Sequence, residues 1–196
     1  LQILVLRNIF GIIPAMLLLI IGPGLSSLRH IINKHHLKII MIRSTAVLVA
    51  QLSYYTALTK IEFATAATLG FTSPFFVTLL SIPLLGHQIG FIRFAAILMG
   101  FLGVTAIFQP FNDSFTFWMM LPVLAGFGYG LSSVLVRLIA EEVPSAAIQI
   151  SQQLLTCILG FCFLISFDEI KPIGSIDDLY LFALMGFCGG VGVLCL

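Results

Sequence analysis

The sequence predicts an all-α protein, a polytopic bundle of membrane-crossing helices, and three observations carry that prediction. Hydrophobic residues make up 60% of the 196 and charged ones 9%. Soluble domains carry roughly 25% charged residues, so the apolar side chains here exceed what one globular core encloses. They fall in runs of the ~20 residues that a helix needs to cross a bilayer core. Short alternating segments of the kind a membrane barrel requires do not occur in the sequence.

Seven spans follow in order: Leu1 to Ile21, Ile39 to Thr59, Ala64 to Leu85, Ile89 to Phe108, Phe117 to Ala140, Ala146 to Phe167, and Leu179 to Leu196. Gly22-Pro23-Gly24 ends the first by removing a donor and admitting unusual dihedrals. Leu25 to His36 then reads as a short basic segment at the membrane surface. The third span is unlike the others. It is apolar over the length of a crossing, yet carries Thr65, Thr68, Thr72, Ser73, Pro74 and Pro83. Lipid tolerates such a helix where neighbours, hydroxyls or an enclosed cavity satisfy the backbone groups that proline frees. The broken span is therefore expected to line a site, with Pro74 as its hinge. In the fourth span Gly100-Phe-Leu-Gly103 is expected to let two backbones approach closely. The chain starts and stops inside apolar runs, so a fragment is expected, incomplete at both ends.

Charge orients the bundle. Counting Lys and Arg on alternate sides, Arg29, Lys34, Lys38, Arg43, Arg93 and Arg137 share one side and Lys60 and Lys171 the other. The first side is expected to be cytoplasmic, with Arg43, Arg93 and Arg137 acting as topology determinants near span ends. The net charge of +1 gives no electrostatic argument for nucleic acid.

At the broken span the chain resembles a family. The order Tyr55-Thr-Ala57-Leu, Thr68-Leu-Gly-Phe-Thr-Ser73-Pro74, Leu84-Leu-Gly86, Gly100-Phe-Leu-Gly103-Val and Pro110 is similar to one repeat of the drug/metabolite transporter superfamily, of the EamA type. The resemblance implies ten helices in two five-helix repeats; because five is odd, the second repeat enters the membrane inverted. On that map the visible spans are helices two to eight. Residues 1–110 form a first repeat lacking its first helix, and 111–196 a second lacking its last two. The Gln109 to Thr116 loop, with Pro110 and Asn112-Asp113, joins them. The resemblance also implies a multi-pass protein of a plasma or inner membrane that carries a small organic metabolite by alternating access. One position departs from the family, which usually has an acid after the glycine that ends the broken helix. Here Gly86 is followed by His87.

Polar residues inside spans are the candidate site, because hydroxyls, amides and charges are costly in hydrocarbon and face the bundle interior. Helical spacing places Gln51, Tyr54 and Tyr55 together, and likewise Thr65, Thr68 and Thr72 beside Ser73. Tyr129 and Ser133 share a stripe with Gly126, Gly130 and Arg137; Gln149, Gln152, Gln153, Thr156 and Gly160 form another. Gly126-x-x-x-Gly130 and Gly186-x-x-x-Gly190 read as close helix crossings. The glutamines and tyrosines are either helix contacts or the lining of a polar cavity, and the threonines can simply bond their own helix. Arg7 lies on one face with Gly11 and Pro14. It either meets an anionic or zwitterionic solute, or snorkels to the surface, or pairs with an acid outside the visible spans.

Other chemistry has little support. Cys157, Cys162, Cys188 and Cys195 show no metal or redox spacing and read as small buried hydrophobes. His30, His35 and His36 fall in the basic connection, where solvation or contact with anionic lipid is expected. Neither a phosphate loop nor a pair of catalytic carboxylates is present, so no catalytic residue, metal or cofactor is expected. With every acid and histidine in a connection or at a span end, no proton relay is expected in these helices. The expected partners are a small-molecule substrate and the lipid bilayer, and the reading admits a homodimer. A membrane scaffold or receptor subunit, its polar stripes serving only packing, is the alternative.

Overall fold

The computed structural model describes residues 2–21, 34–86, 90–108, 116–140, 142–166 and 176–194. Among them every regular element is helical: α1 (Gln2–Ile21), α2 (Lys34–Leu58), α3 (Phe63–Gly70), α4 (Ser73–Leu85), α5 (Phe91–Phe108), α6 (Met120–Ile139), α7 (Ser145–Ser166) and α8 (Ile176–Leu194), with a 3-10 turn at Phe117–Met119 before α6. Leu4–Ile21, His36–Leu58, Phe63–Leu85, Phe117–Ile139 and Ser145–Cys162 are long and apolar enough to cross a membrane. Their outer faces expose Ile13, Leu17, Leu79, Leu124 and Ile158, the surface that lipid solvates. The expectations attached to Gly22-Pro23-Gly24, Arg29, His30, His87, Pro110, Asn112-Asp113, Lys171 and Cys195 fall outside the described residues.

The helices form two compact units that cut across the expected repeats, residues 1–48 with 139–196, and residues 49–138. In the first, α1 packs against both α7 and α8. Its buried stripe of Leu4, Val5, Asn8, Gly11, Ala15 and Leu19 follows the helical period, and small residues set how close the neighbours come. A Cβ placed on Gly186 would lie 2.6 Å from the Arg7 carbonyl oxygen, and one on Gly190 2.8 Å from that of Gly11. On α7, Gly160 meets Leu4 and Val5. These pairings make α8 parallel to α1 and α7 antiparallel to it.

The same unit holds the first part of α2, which starts at Lys34, earlier than the expected Ile39. The helix therefore takes in Lys34, His35 and His36 of the segment assigned to the surface. His36 is buried, with its Nε2 2.9 Å from the Glu142 carboxylate just ahead of α7. That corrects the expectation of a solvated histidine; the side chain of His35 lies outside the described residues.

In the second unit the broken span breaks one turn ahead of its proline. Pro74 has no N–H for the Gly70 carbonyl and its ring crowds that oxygen, and α3 stops at Gly70. Phe71 and Thr72 bridge the gap through bonds from their N–H groups to the Thr68 and Leu69 carbonyls, the tighter spacing common at helix ends. α4 restarts with Pro74 in its first turn, where the missing donor costs nothing. Pro83 sits inside α4 without ending it, and the helix closes at Gly86, whose φ of 67° suits glycine.

α6 seals this break. A Cβ on Gly126 would collide with Thr72 Oγ1 and lie 3.2 Å from the Ser73 nitrogen, and one on Gly130 would lie 2.8 Å from Phe76 Cβ. Phe76 and Phe127 add an edge-to-face contact at 5.4 Å, and Lys60 lies over the Trp118 ring at 5.5 Å. Gly100 and Gly103 behave otherwise: nothing comes within 4 Å of a Cβ placed on either. Among the described residues the close crossing expected there is not formed, and Gly100 lines a cavity instead.

Candidate functional site

The cavity lies at the helix break, between α4, α5 and α6. Its volume is about 360 Å³, and Phe71, Phe75, Phe76, Thr72, Pro74 and Gly100 are among its lining residues. Small-molecule sites begin at about 300 Å³ and are mostly apolar with a few placed polar groups. The proline creates this one by interrupting α3, and the aromatic side chains on either side of the interruption supply flat walls. Thr72 is its buried polar group. The hydroxyl donates to the Leu69 carbonyl at 2.8 Å, which leaves its oxygen as an acceptor.

Around the same break, the Tyr54 ring lies 3.4 Å from a Cβ placed on Gly70. Tyr54 and Tyr55 are half-buried, Gln51 is buried, and Ser73 is half-buried with its backbone against Gly126. Tyr129 is half-buried, whereas Ser133 is exposed and donates to the Tyr129 carbonyl at 2.9 Å. Thr68 and Thr78 also bond their own helix, donating to the Ala64 and Pro74 carbonyls at 2.6 and 2.9 Å. Of the expected stripe, Thr68 and Thr72 thus bond their own helix.

In the other unit the polar residues lie in the packed face of α7. Gln149, Gln152, Gln153 and Thr156 are all buried, and the Gln153 carboxamide fits over Gly11, its Oε1 2.7 Å from where a Cβ would sit. Among the described residues, Gln152 Oε1, Gln153 Oε1 and Thr156 Oγ1 have no protein partner. Buried polar atoms are nearly always paired, so three orphans on one face mark a place that water or a solute completes. Arg7 lies on the far flank of α1, half-buried, its guanidinium 3.5 Å from a Cβ placed on Gly189.

Two features of the site were not foreseen. Phe71, Phe75 and Phe76 had no polar signal to draw attention to them. Arg43, expected near a span end, is only 6% exposed, and its Nε and Nη1 have no partner among the described residues. On α2 it shares one buried stripe with His36, Ile39, Ile40, Ser44, Val47 and Leu48. Two of the cysteines also differ from expectation: Cys162 and Cys188 are exposed on helix surfaces rather than buried. Lipid is as apolar as a core, so it accepts them equally.

Helices of membrane length, one of them broken around a cavity, define a multi-pass integral membrane protein. The model of the EamA-like transporter family matches residues 1–109, and the chain belongs to that family. It is 34% identical over 85 residues to a riboflavin transporter of Rhizobium johnstonii, a match covering 43% of this chain and 28% of that protein. With a riboflavin transporter of Brucella anthropi the identity is 30% over 122 residues, 62% of this chain and 43% of the relative. With one of Vibrio cholerae it is 36% over 78 residues, 39% of this chain and 26% of the relative. The matches thus span less than half the length of these relatives. No solved structure matches the chain.

Proposed function

We propose that the protein is a secondary transporter that moves a small, flat, aromatic organic solute across a cell membrane by alternating access, with riboflavin the first candidate. The cavity at the break carries this reading. A 360 Å³ space walled by Phe71, Phe75 and Phe76 suits a planar ring, because aromatic faces stack on one another at little entropic cost. Thr72 and Thr78 supply the polar groups of its wall. Residues 1–110 and 111–196 act as two inverted repeats that close in turn around the site, with Pro74 as the hinge of the moving helix. The matching relatives, all named for riboflavin, support the choice of cargo.

The alternative of a non-transporting scaffold requires filled, dry helix contacts. The cavity and the unpartnered Gln152, Gln153 and Thr156 favour transport instead. Uptake of labelled riboflavin into vesicles carrying the full-length protein tests the proposal. Saturable uptake is expected, lost when Phe75 and Phe76 are both changed to Ala. Saturable uptake of other metabolites with none of riboflavin would refute the cargo, and no transport of any solute would refute the function.

A further inference from the structure

We infer that Arg43 holds an oxyanion, a phosphate or carboxylate group, inside the first unit, at a depth near that of the α7 glutamines. The inference rests on the transport reading only in that a phosphorylated or carboxylated solute is one of two sources of that anion.

Arg43 lies within the buried stripe of α2, with Nε and Nη1 cut off from solvent and unpartnered among the described residues. The hydroxyl of Ser44, next in the chain, is likewise buried without a partner. A guanidinium cannot shed its charge, and an unpaired buried charge is expensive enough that a counter-anion is expected at such a site.

Its depth follows from one contact. The His36–Glu142 pair, at 2.9 Å, sets the starts of α2 and α7 at one level, and α1, antiparallel to α7, ends there too. Arg43 and Gln149 each lie seven residues beyond their member of the pair, which is about 10 Å deeper at the rise of an α-helix. Gln152, Gln153 and Thr156 follow within the next two turns.

No acid on the described elements of this unit fits that depth. Glu142 is already with His36. Asp177 and Asp178 sit in the first turn of α8, whose pairing with α1 puts them at the opposite end, on the order of 20 Å away along the axis. What α2 presents to a ligand there is a fixed cation beside the neutral Ser44 hydroxyl. Guanidinium forks match phosphate and carboxylate geometry.

Two sources offer this chemistry, a charged group on the solute and a lipid headgroup. The experiment uses the full-length protein in nanodiscs of zwitterionic lipid, with thermal unfolding and flavin fluorescence as readouts. The probes are inorganic phosphate, riboflavin and riboflavin phosphate. Wild type is expected to bind riboflavin phosphate more tightly than riboflavin and to be stabilised by phosphate. Arg43→Gln should weaken riboflavin phosphate at least ten-fold while changing riboflavin less than two-fold, and Arg43→Lys should fall between. If an anionic phospholipid stabilises wild type but not Arg43→Gln, and the soluble probes do not compete, the oxyanion is a headgroup.

Equal effects on both flavins, or no response of wild type to any anion, would overturn the inference while leaving riboflavin transport standing. A phosphate response without flavin binding would do the reverse. Should Arg43→Gln fail to fold, Arg43→Lys and phosphate competition in wild type still decide.

Discussion

The crossing of α1 and α8 offers a sharp test, because two glycines three residues apart on α8 make opposite predictions. At Gly186 an added methyl would lie 2.6 Å from the Arg7 carbonyl oxygen and 2.7 Å from Phe10 Cβ. Ordinary carbon–oxygen contacts run to about 3.3–3.6 Å, so Gly186→Ala demands that two helices part by roughly 0.7–1 Å or strain their backbones. Overpacking of this kind costs about 1–3 kcal/mol. Against it stands the gain of about 0.5–1 kcal/mol from replacing glycine within a helix. At Gly189 the nearest atoms belong to the flexible end of Arg7, at 3.5 Å, which is ordinary contact. Gly189→Ala thus keeps the helix gain and pays no clash. The two variants should differ by about 1–3 kcal/mol, with Gly186→Ala the less stable. At about 2–4 °C per kcal/mol, that is several degrees in the unfolding temperature of the full-length protein in detergent or nanodiscs. Equal unfolding temperatures would show that α1 and α8 do not meet at this glycine.

Three further outcomes are expected. Pro74→Ala gives the Gly70 carbonyl its donor and lets α3 and α4 join; transport should fall while stability shifts by no more than about 1 kcal/mol, and unchanged transport at full expression would leave Pro74 without a hinge role. Cysteines placed at His35 and Asp177 should be labelled from opposite faces of the membrane, the first from the cytoplasm, and labelling of both from one face would overturn the orientation drawn from Lys and Arg placement. An imposed proton gradient should not drive uptake, before or after His87→Ala, since the acids and histidines lie at span ends or in connections; uptake that collapses with the gradient and with His87→Ala would make that histidine the coupling residue.

The apolar run lengths by themselves determined that the chain is helical and crosses a membrane, because a backbone in lipid must satisfy its own hydrogen bonds. Pro74 determined the break, through its missing donor and its crowding of Gly70. Glycine spacing determined the crossings at Gly126 and Gly130 on α6 and at Gly186 and Gly190 on α8, but failed at Gly100 and Gly103. The spacing states that a close approach is possible there, and only the fold decides whether a helix takes it. Tertiary structure also decided the fate of His36 and Arg43. The sequence places His36 in a connection, solvated or against anionic lipid, and Arg43 near a span end as a topology determinant. One is buried against Glu142, far away in sequence, and the other is buried without a partner among the described residues. The reason is general to membrane helices. In water, the apolar stripe of a helix marks its packed face. In lipid, the outer face is as apolar as the inner, so hydrophobicity cannot say which side of α2 faces the bundle. What tells the sides apart is where the charges and small residues go, and that becomes plain only when the neighbouring helices are in place.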